Sequence, residues 1–92
     1  MERISALRKR IDKIDEQIVR LLKERVDICE SIGRIKREQG IPVRDRRREN
    51  EQYTRIAGIA SKLGLNPHDV RAVYQEIIAV SIRAQERESY RT

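Results

Sequence analysis

An apolar stripe with helical spacing runs along the first part of the chain. Large aliphatic side chains recur every three or four residues from Ile4 to Ile35, at positions 4, 7, 11, 14, 18, 21, 28, 32 and 35. This spacing places them on one side of an α-helix and predicts a helix that packs along its whole length against other helices. The stripe position at residue 25 is an arginine. Because burying an unpaired guanidinium is costly, Arg25 requires an anion from the protein or from a ligand.

The size and composition of the chain limit its class. It has 92 residues, of which 39% are charged and 38% are hydrophobic, so we expect a single small domain with a thin core. No apolar run approaches the length of a membrane-spanning helix, and the first residues lack the apolar stretch of a signal peptide, which favours a cytoplasmic protein. Cys29 and His68 are the only cysteine and the only histidine. We therefore expect neither a disulfide within the chain nor a metal site.

Capping signals divide the chain into three helices and predict an all-α fold. Gly40 and Gly64 are suited to end a helix, Asp45 is suited to begin one, and Asn66 followed by Pro67 is a typical helix start. The predicted helices span about residues 2–39, 45–63 and 67–88. There are no strand signals, so the whole chain is expected to form one helical domain.

The first predicted helix is too long for a compact chain of this size. About 38 residues at a rise of 1.5 Å give a length of about 55 Å. A compact chain of the same length is about 30 Å across. Much of the stripe between Ile4 and Leu21 would therefore extend beyond the rest of the chain. We predict a homodimer in which the long helices of two copies pack on each other.

Each predicted helix replaces apolar residues with polar ones near one end. In the first, Lys36 lies on nearly the same side as Arg25. In the second, the inward stripe that runs back from Leu63 becomes charged near the helix start, and in the third it becomes polar near the helix end. Because short connections make successive helices antiparallel, these polar ends should meet at one end of the bundle. The predicted pocket is formed by Arg25, Lys36, Asp45, Arg48, Glu49, Ser81 and Gln85.

The polar pocket is suited to a small anion. Three cations, two carboxylates and two neutral hydrogen-bonding groups fit an anion that also carries a hydroxyl. For any one member a structural ion pair is an equal alternative, and Glu49 or Asp45 could neutralise Arg25 in an empty site. The net charge of +6 also suits nucleic-acid binding through the cluster Arg44, Arg46, Arg47 and Arg48. We do not expect that partner, since the sequence has no helix-turn-helix pattern and its tyrosines do not interleave with the basic run.

The sequence resembles the all-helical chorismate mutases, in their monofunctional bacterial or archaeal form. The resemblance rests on the long first helix, on the segment GIPVRDRRRE at 40–49, on Ser81 and Gln85 of the third helix, and on an opening pattern formed by Leu7, Arg8, Ile11, Asp12, Ile14 and Asp15. It covers roughly residues 4–88. It implies an intertwined homodimer with two active sites that rearranges chorismate to prephenate in the shikimate pathway to phenylalanine and tyrosine, without a cofactor.

The same resemblance implies a role for each site residue. The arginines and Ser81 would bind the two carboxylates of chorismate, with Arg8 supplied by the other subunit. Lys36 and Gln85 would hydrogen-bond the ether oxygen, Glu49 would hold the ring hydroxyl together with an aspartate, and an isoleucine would form an apolar wall. The implied substrate-binding residues are Arg8, Arg25, Ile32, Lys36, Asp45, Arg48, Glu49, Ser81 and Gln85. Of these, the implied catalytic residues are Arg25, Lys36, Glu49 and Gln85.

Spacing agrees with the implied position of Arg8. It precedes Arg25 by seventeen residues. On one helix that separation is about 25 Å, so Arg8 cannot serve the same pocket within one chain.

Two other functions are compatible with parts of the sequence. The nearest is isochorismate–pyruvate lyase activity on the same fold, which forms salicylate. Relatives with that activity lack the acidic residue that matches Glu49 and the arginine that matches Arg48, and this chain has both. The other alternative is a basic helical module that binds nucleic acid.

Overall fold

The computed structural model describes residues 2–89, which form three α-helices. These are α1 (Glu2–Gln39), α2 (Arg46–Lys62) and α3 (Pro67–Ser89). Each bound lies within one residue of the predicted one. No strand occurs between residues 2 and 89, so the all-α prediction is confirmed.

Side-chain caps begin the second and third helices. The Oδ1 atom of Asp45 accepts a hydrogen bond from the backbone amide of Arg48 at 3.0 Å. Before α3, Asn66 Oδ1 accepts from the backbone amide of His68 at 2.8 Å. Each cap supplies an acceptor to an amide that has no partner within its own helix.

Glycines in the left-handed conformation end the first and second helices. Gly40 has a φ of 68° and Gly64 a φ of 74°, a region that residues with a Cβ adopt at a cost. After each glycine, the next amide donates to the carbonyl five residues back, at 2.8 Å for Ile41 and 2.9 Å for Leu65. These contacts satisfy the last carbonyl groups of the helix and turn the chain sharply.

The central element is α3, against which α1 and α2 both pack. Arg25 contacts Ser81, and Arg37 further along α1 contacts the carbonyl of Glu88 further along α3. Helices α1 and α3 therefore run in the same direction. Helix α2, which lies between them in the sequence, runs in the opposite direction. This order brings the end of α1, the start of α2 and the end of α3 together, as predicted.

The backbones of α1 and α3 approach closely at Gly33. A Cβ atom at this position would lie 2.6 Å from the carbonyl oxygen and 2.8 Å from the Cα of Gln85. No side chain fits in that space, and Ala84 beside the crossing is completely buried. The absence of a side chain at Gly33 thus holds Gln85 directly against α1.

Three residues that the stripes place inward are exposed within the single chain. Ile28 and Ile35 of the α1 stripe are 60% and 51% exposed, while Cys29 and Gly33 beside them are buried. The contact with α3 lies to one side of the stripe because only Gly33 permits the close approach. Leu63 does not continue the inward stripe of α2; it follows the last helical residue and is 71% exposed.

The first half of α1 extends beyond the rest of the chain. The described residues measure 56 × 27 × 15 Å, and their radius of gyration is 16.6 Å. A compact chain of this size has a radius of gyration of about 12 Å. The aliphatic side chains of the stripe from Ile4 to Leu21 are all at least half exposed. Among the helices described, none combines the length and the apolarity required to cross a membrane.

Candidate active site

A cavity of about 250 Å³ lies between the second half of α1, the start of α2 and the end of α3. Its volume is just below the range of about 300–1,000 Å³ that holds drug-sized ligands, so it suits a smaller molecule. It brings together all seven polar residues that were predicted to converge, along with one isoleucine. The predicted residues that line it are Arg25, Ile32, Lys36, Asp45, Arg48, Glu49, Ser81 and Gln85.

Arg25 enters the cavity without a carboxylate partner. Its Nη2 donates to Ser81 Oγ at 3.2 Å, and the serine hydroxyl donates in turn to the carbonyl of Ile77. The Nε atom of Arg25 is buried and has no hydrogen-bond partner. No salt bridge within residues 2–89 includes Arg25, so neither Glu49 nor Asp45 neutralises it. The guanidinium also lies over the ring of Tyr74, 6.0 Å from its centroid, which is a weak contact. A partly buried guanidinium with one neutral hydrogen-bond partner leaves an anion-binding position open.

Lys36 and Gln85 form a hydrogen-bonded pair at the cavity wall. The Nζ atom of Lys36 donates to Gln85 Oε1 and to the carbonyl of Val43, both at 2.8 Å. An ammonium group has three donors, so one remains. Because an ammonium can only donate, the amide oxygen of Gln85 faces it and the amide nitrogen is left as a donor. Two donors on neighbouring side chains are therefore available to one acceptor of a ligand.

The two acidic residues of the cavity already have partners. Glu49 accepts two hydrogen bonds from Arg44, from Nε to Oε2 at 3.0 Å and from Nη2 to Oε1 at 2.9 Å. Asp45 uses Oδ1 to cap α2. Each carboxylate oxygen has two lone pairs, so both residues retain the capacity to accept a hydrogen bond from a ligand. The sequence pattern does not predict Arg44 as the partner of Glu49.

Arg48 supplies a second cation without a partner. Its backbone amide belongs to the cap of α2, but its exposed side chain makes no hydrogen bond or ion pair with any described residue. The cavity thus combines two guanidinium groups, those of Arg25 and Arg48, that lack carboxylate partners. Such a pair can bind two carboxylates or the two oxygens of one.

Five further lining residues were not singled out for the pocket. Helical spacing contains a signal for some of them: Gln52 lies one turn after Glu49, and Cys29 lies one turn after Arg25. Val43 is in the connection before α2, where no periodicity exists to place it. The additional lining residues are Cys29, Val43, Gln52, Ile78 and Ile82.

Arg8 does not join the cavity of its own chain. It lies exposed on the first half of α1 and does not line the cavity. The seventeen helical residues that separate it from Arg25 correspond to about 25 Å. Of the residues that the resemblance implied, the other eight meet in one place and Arg8 does not.

The other concave surfaces are open grooves along a single helix. One lies on the outer side of α2 between Arg47 and Arg55, and another on the first half of α1 between Asp12 and Arg20. Each is lined by exposed side chains of one helix, which are all charged or polar except Val19. Neither brings different helices together around an unpaired group, so the cavity at Arg25 is the stronger candidate.

Comparison with known proteins identifies the family of the chain. The sequence profile of the family described as chorismate mutase type II matches residues 7–86. The chain is 34% identical over 90 residues to a bifunctional chorismate mutase/prephenate dehydratase of Aquifex aeolicus, which covers 95% of this chain and 25% of that protein. It is 31% identical over 78 residues to a chorismate mutase of Methanocaldococcus jannaschii, covering 85% of this chain and 79% of that one.

A solved structure also shares the fold. A conserved hypothetical protein from Pyrococcus furiosus superposes with a TM-score of 0.69 at 39% sequence identity, covering 89% of this chain and 93% of that chain. The present chain therefore spans most of two of these relatives and a quarter of the Aquifex protein. The family profile covers well over half of the chain, and the fold agrees. The chain belongs to the chorismate mutase type II family, a family of isomerases.

Proposed function

We propose that this chain rearranges chorismate to prephenate, a step in the biosynthesis of phenylalanine and tyrosine, and that it acts in the cytoplasm. The observation that carries the proposal is the cavity in which two unpaired guanidinium groups face a lysine and a glutamine with free donors. Family membership makes chorismate the natural candidate for the ligand.

The two unpaired arginines would fix the shape of the substrate. Chorismate carries one carboxylate on its ring and one on the enolpyruvyl side chain, and the reaction requires the side chain to fold over the ring. Arg25, supported by Ser81, and Arg48 would each bind a carboxylate, while Ile32 packs against the apolar part of the molecule. Holding the reacting carbon atoms close together supplies much of the rate enhancement of a unimolecular reaction.

Lys36 and Gln85 would stabilise the transition state. As the bond to the ether oxygen breaks, negative charge develops on that oxygen. The third donor of Lys36 and the amide nitrogen of Gln85 would both donate to it, and the contact of Lys36 with Val43 fixes the ammonium beforehand. No proton is transferred and no covalent intermediate forms, so an amide and an ammonium are sufficient.

The acidic side of the cavity would hold the ring hydroxyl. Glu49 and Asp45 retain free lone pairs after their contacts with Arg44 and the α2 amide. A hydroxyl that donates to one of them would set the orientation of the ring relative to Lys36. This contact is the part of the proposal that distinguishes chorismate from a ligand with carboxylates alone.

We further propose a homodimer in which Arg8 of one subunit completes the cavity of the other. Support comes from the exposed stripe between Ile4 and Leu21, which needs a cover, and from the distance of about 25 Å between Arg8 and Arg25. Two long helices that pack side by side would bury the stripe and carry Arg8 to the partner. Light scattering after size exclusion tests the association, and a stable monomer at micromolar concentration would contradict it.

Loss of chorismate absorbance with purified protein tests the activity directly. The intact chain is expected to convert chorismate to prephenate, and Arg25→Ala is expected to lower kcat/KM by at least about thirtyfold, since it removes a charged contact worth 2 kcal/mol or more. Arg55→Ala, on the open groove of α2, is the matched control and should behave like the intact chain. Failure to consume chorismate would overturn the proposal, and salicylate formed from isochorismate would identify the lyase instead.

A further inference from the structure

Glu49 is held by an arginine that does not line the cavity. Arg44 lies in the connection before α2 and binds both carboxylate oxygens of Glu49, at 2.9 and 3.0 Å. The side chain of Arg44 is 46% exposed, whereas that of Glu49 is 16% exposed and lines the cavity. A ligand in the cavity would therefore contact the carboxylate of Glu49, whose position and charge are both set by Arg44 outside the cavity.

The two-point contact fixes the direction of the carboxylate. A planar guanidinium that binds two oxygens at once holds the carboxylate in one plane, which a single hydrogen bond does not achieve. The lone pairs not used by Arg44 then point in fixed directions. Glu49 is thus prepared to accept one hydrogen bond at one place in the cavity.

The same contact decides which ring substituent the site favours. A bare carboxylate would attract a cationic group strongly, but Arg44 cancels the charge of Glu49. Arg25, Lys36 and Arg48 add three positive charges around the same space and Asp45 adds one negative charge, so the cavity stays positive overall. The resulting potential suits a neutral hydroxyl and opposes an ammonium group.

We propose that Arg44 is a positioning residue that determines substrate specificity: it makes the site prefer a hydroxyl over an ammonium group at the ring position that meets Glu49. The inference rests on the proposed function and adds a selectivity that the family relationship does not assign to this residue. Arg44 acts through Glu49 and does not itself touch the substrate.

The test compares two substrates that differ only at this ring position. The value of kcat/KM is measured for chorismate and for 4-amino-4-deoxychorismate, whose amine is protonated at neutral pH. Arg44→Gln removes the neutralising charge and is expected to shift the ratio of the two values about tenfold towards the amine, a partly screened charge effect. Arg44→Lys keeps the charge but loses the two-point contact, so both values should fall while their ratio stays near that of the intact chain.

Two further variants control for charge and for folding. Arg47→Gln removes the same charge from an exposed arginine that pairs with Glu51 at 3.5 Å, outside the cavity, and should leave the ratio unchanged. Glu49→Gln leaves Arg44 without a counter-charge and should move the ratio in the opposite direction, away from the amine. Circular dichroism of each variant verifies that it is folded.

The outcomes separate this inference from the function on which it rests. If the intact chain converts chorismate but Arg44→Gln lowers both values equally, Arg44 has only a structural role and the inference is wrong. It is also wrong if Arg44→Gln and Glu49→Gln shift the ratio in the same direction. If the intact chain converts neither substrate, the proposed function fails and the inference fails with it.

Discussion

The two halves of α1 follow one sequence pattern and have opposite surroundings. From Ile4 to Leu21 the stripe is entirely aliphatic, and nothing within the described chain covers it. In the second half it is interrupted by Arg25, has Lys36 on nearly the same side, and lies beside the crossing with α3. The periodicity is the same in both halves, so it predicts that α1 is a helix but not what packs against each half of it.

The difference between the halves lies in what each buries. A continuous aliphatic stripe is stable only when another apolar surface covers it. A stripe that contains an unpaired, partly buried guanidinium is stabilised when an anion binds to it. The first half therefore favours association, and the second favours ligand binding. A change in the first half is therefore expected to act on association and, through it, on activity, whereas a change in the second half is expected to leave association intact.

The largest effect is expected in the aliphatic half. Ile14→Lys places a charge in the centre of the exposed stripe and should abolish association at micromolar concentration, because burying an unpaired ammonium is prohibitive. Activity should disappear with association, although Ile14 is remote from the cavity. Light scattering and chorismate turnover measure the two effects. Ser61→Lys, which adds the same charge at an exposed position of α2, is the control, and a dimeric, active Ile14→Lys would refute the role of the stripe.

The next effect belongs to the polar half. Lys36→Ala removes a transition-state donor and should raise the activation free energy measured by kcat/KM by at least about 2–3 kcal/mol. Dimerisation should be unaffected. Lys23→Ala is the matched control, because Lys23 is exposed, does not line the cavity and pairs with Asp27 at 2.8 Å on its own helix. A loss of less than tenfold in Lys36→Ala would contradict the assignment of Lys36.

A smaller effect is expected at the crossing that supports the polar half. Gly33→Ala brings a Cβ against the backbone of Gln85 and should lower the free energy of unfolding by about 1–3 kcal/mol, since a backbone cannot move aside. It should also lower kcat by separating Gln85 from Lys36. The control is Gly58→Ala, where no atom lies within 4 Å. There the free energy of unfolding should rise by about 0.5–1 kcal/mol, because alanine is the better helix former. Urea denaturation of both variants decides the matter, and equal effects would argue against the crossing.

Local signals in the sequence were sufficient for the helices and for most of the cavity. Helix caps depend on neighbouring residues in the sequence, so the helix ends could be predicted without knowledge of the packing. The capping residues are Gly40, Asp45, Gly64 and Asn66. The polar members of the cavity were found because each interrupts an apolar pattern, and short connections allow few arrangements of three helices.

The remaining features depend on distances between helices, which no local pattern encodes. The crossing at Gly33 requires knowing which side of α1 meets α3, and a glycine carries no periodic signal. The pairing of Arg44 with Glu49 depends on the path of the connection before α2. Periodicity alone places Leu63 on the inward side of α2, but α2 ends one residue before it and the Leu63 side chain is exposed.

The two halves of one α1 are expected to contribute to different cavities of the dimer, the first half to the partner's and the second half to its own. Mixing two impaired variants tests this expectation most directly. Arg8→Ala and Arg25→Ala, each impaired alone, are combined in equal amounts and allowed to exchange subunits. If Arg8 acts across the dimer, half of the dimers are mixed and each mixed dimer has one intact cavity, so about a quarter of the intact activity should return. If the mixture stays as inactive as its components while mixed dimers are present, Arg8 does not serve the partner's cavity and the account is contradicted.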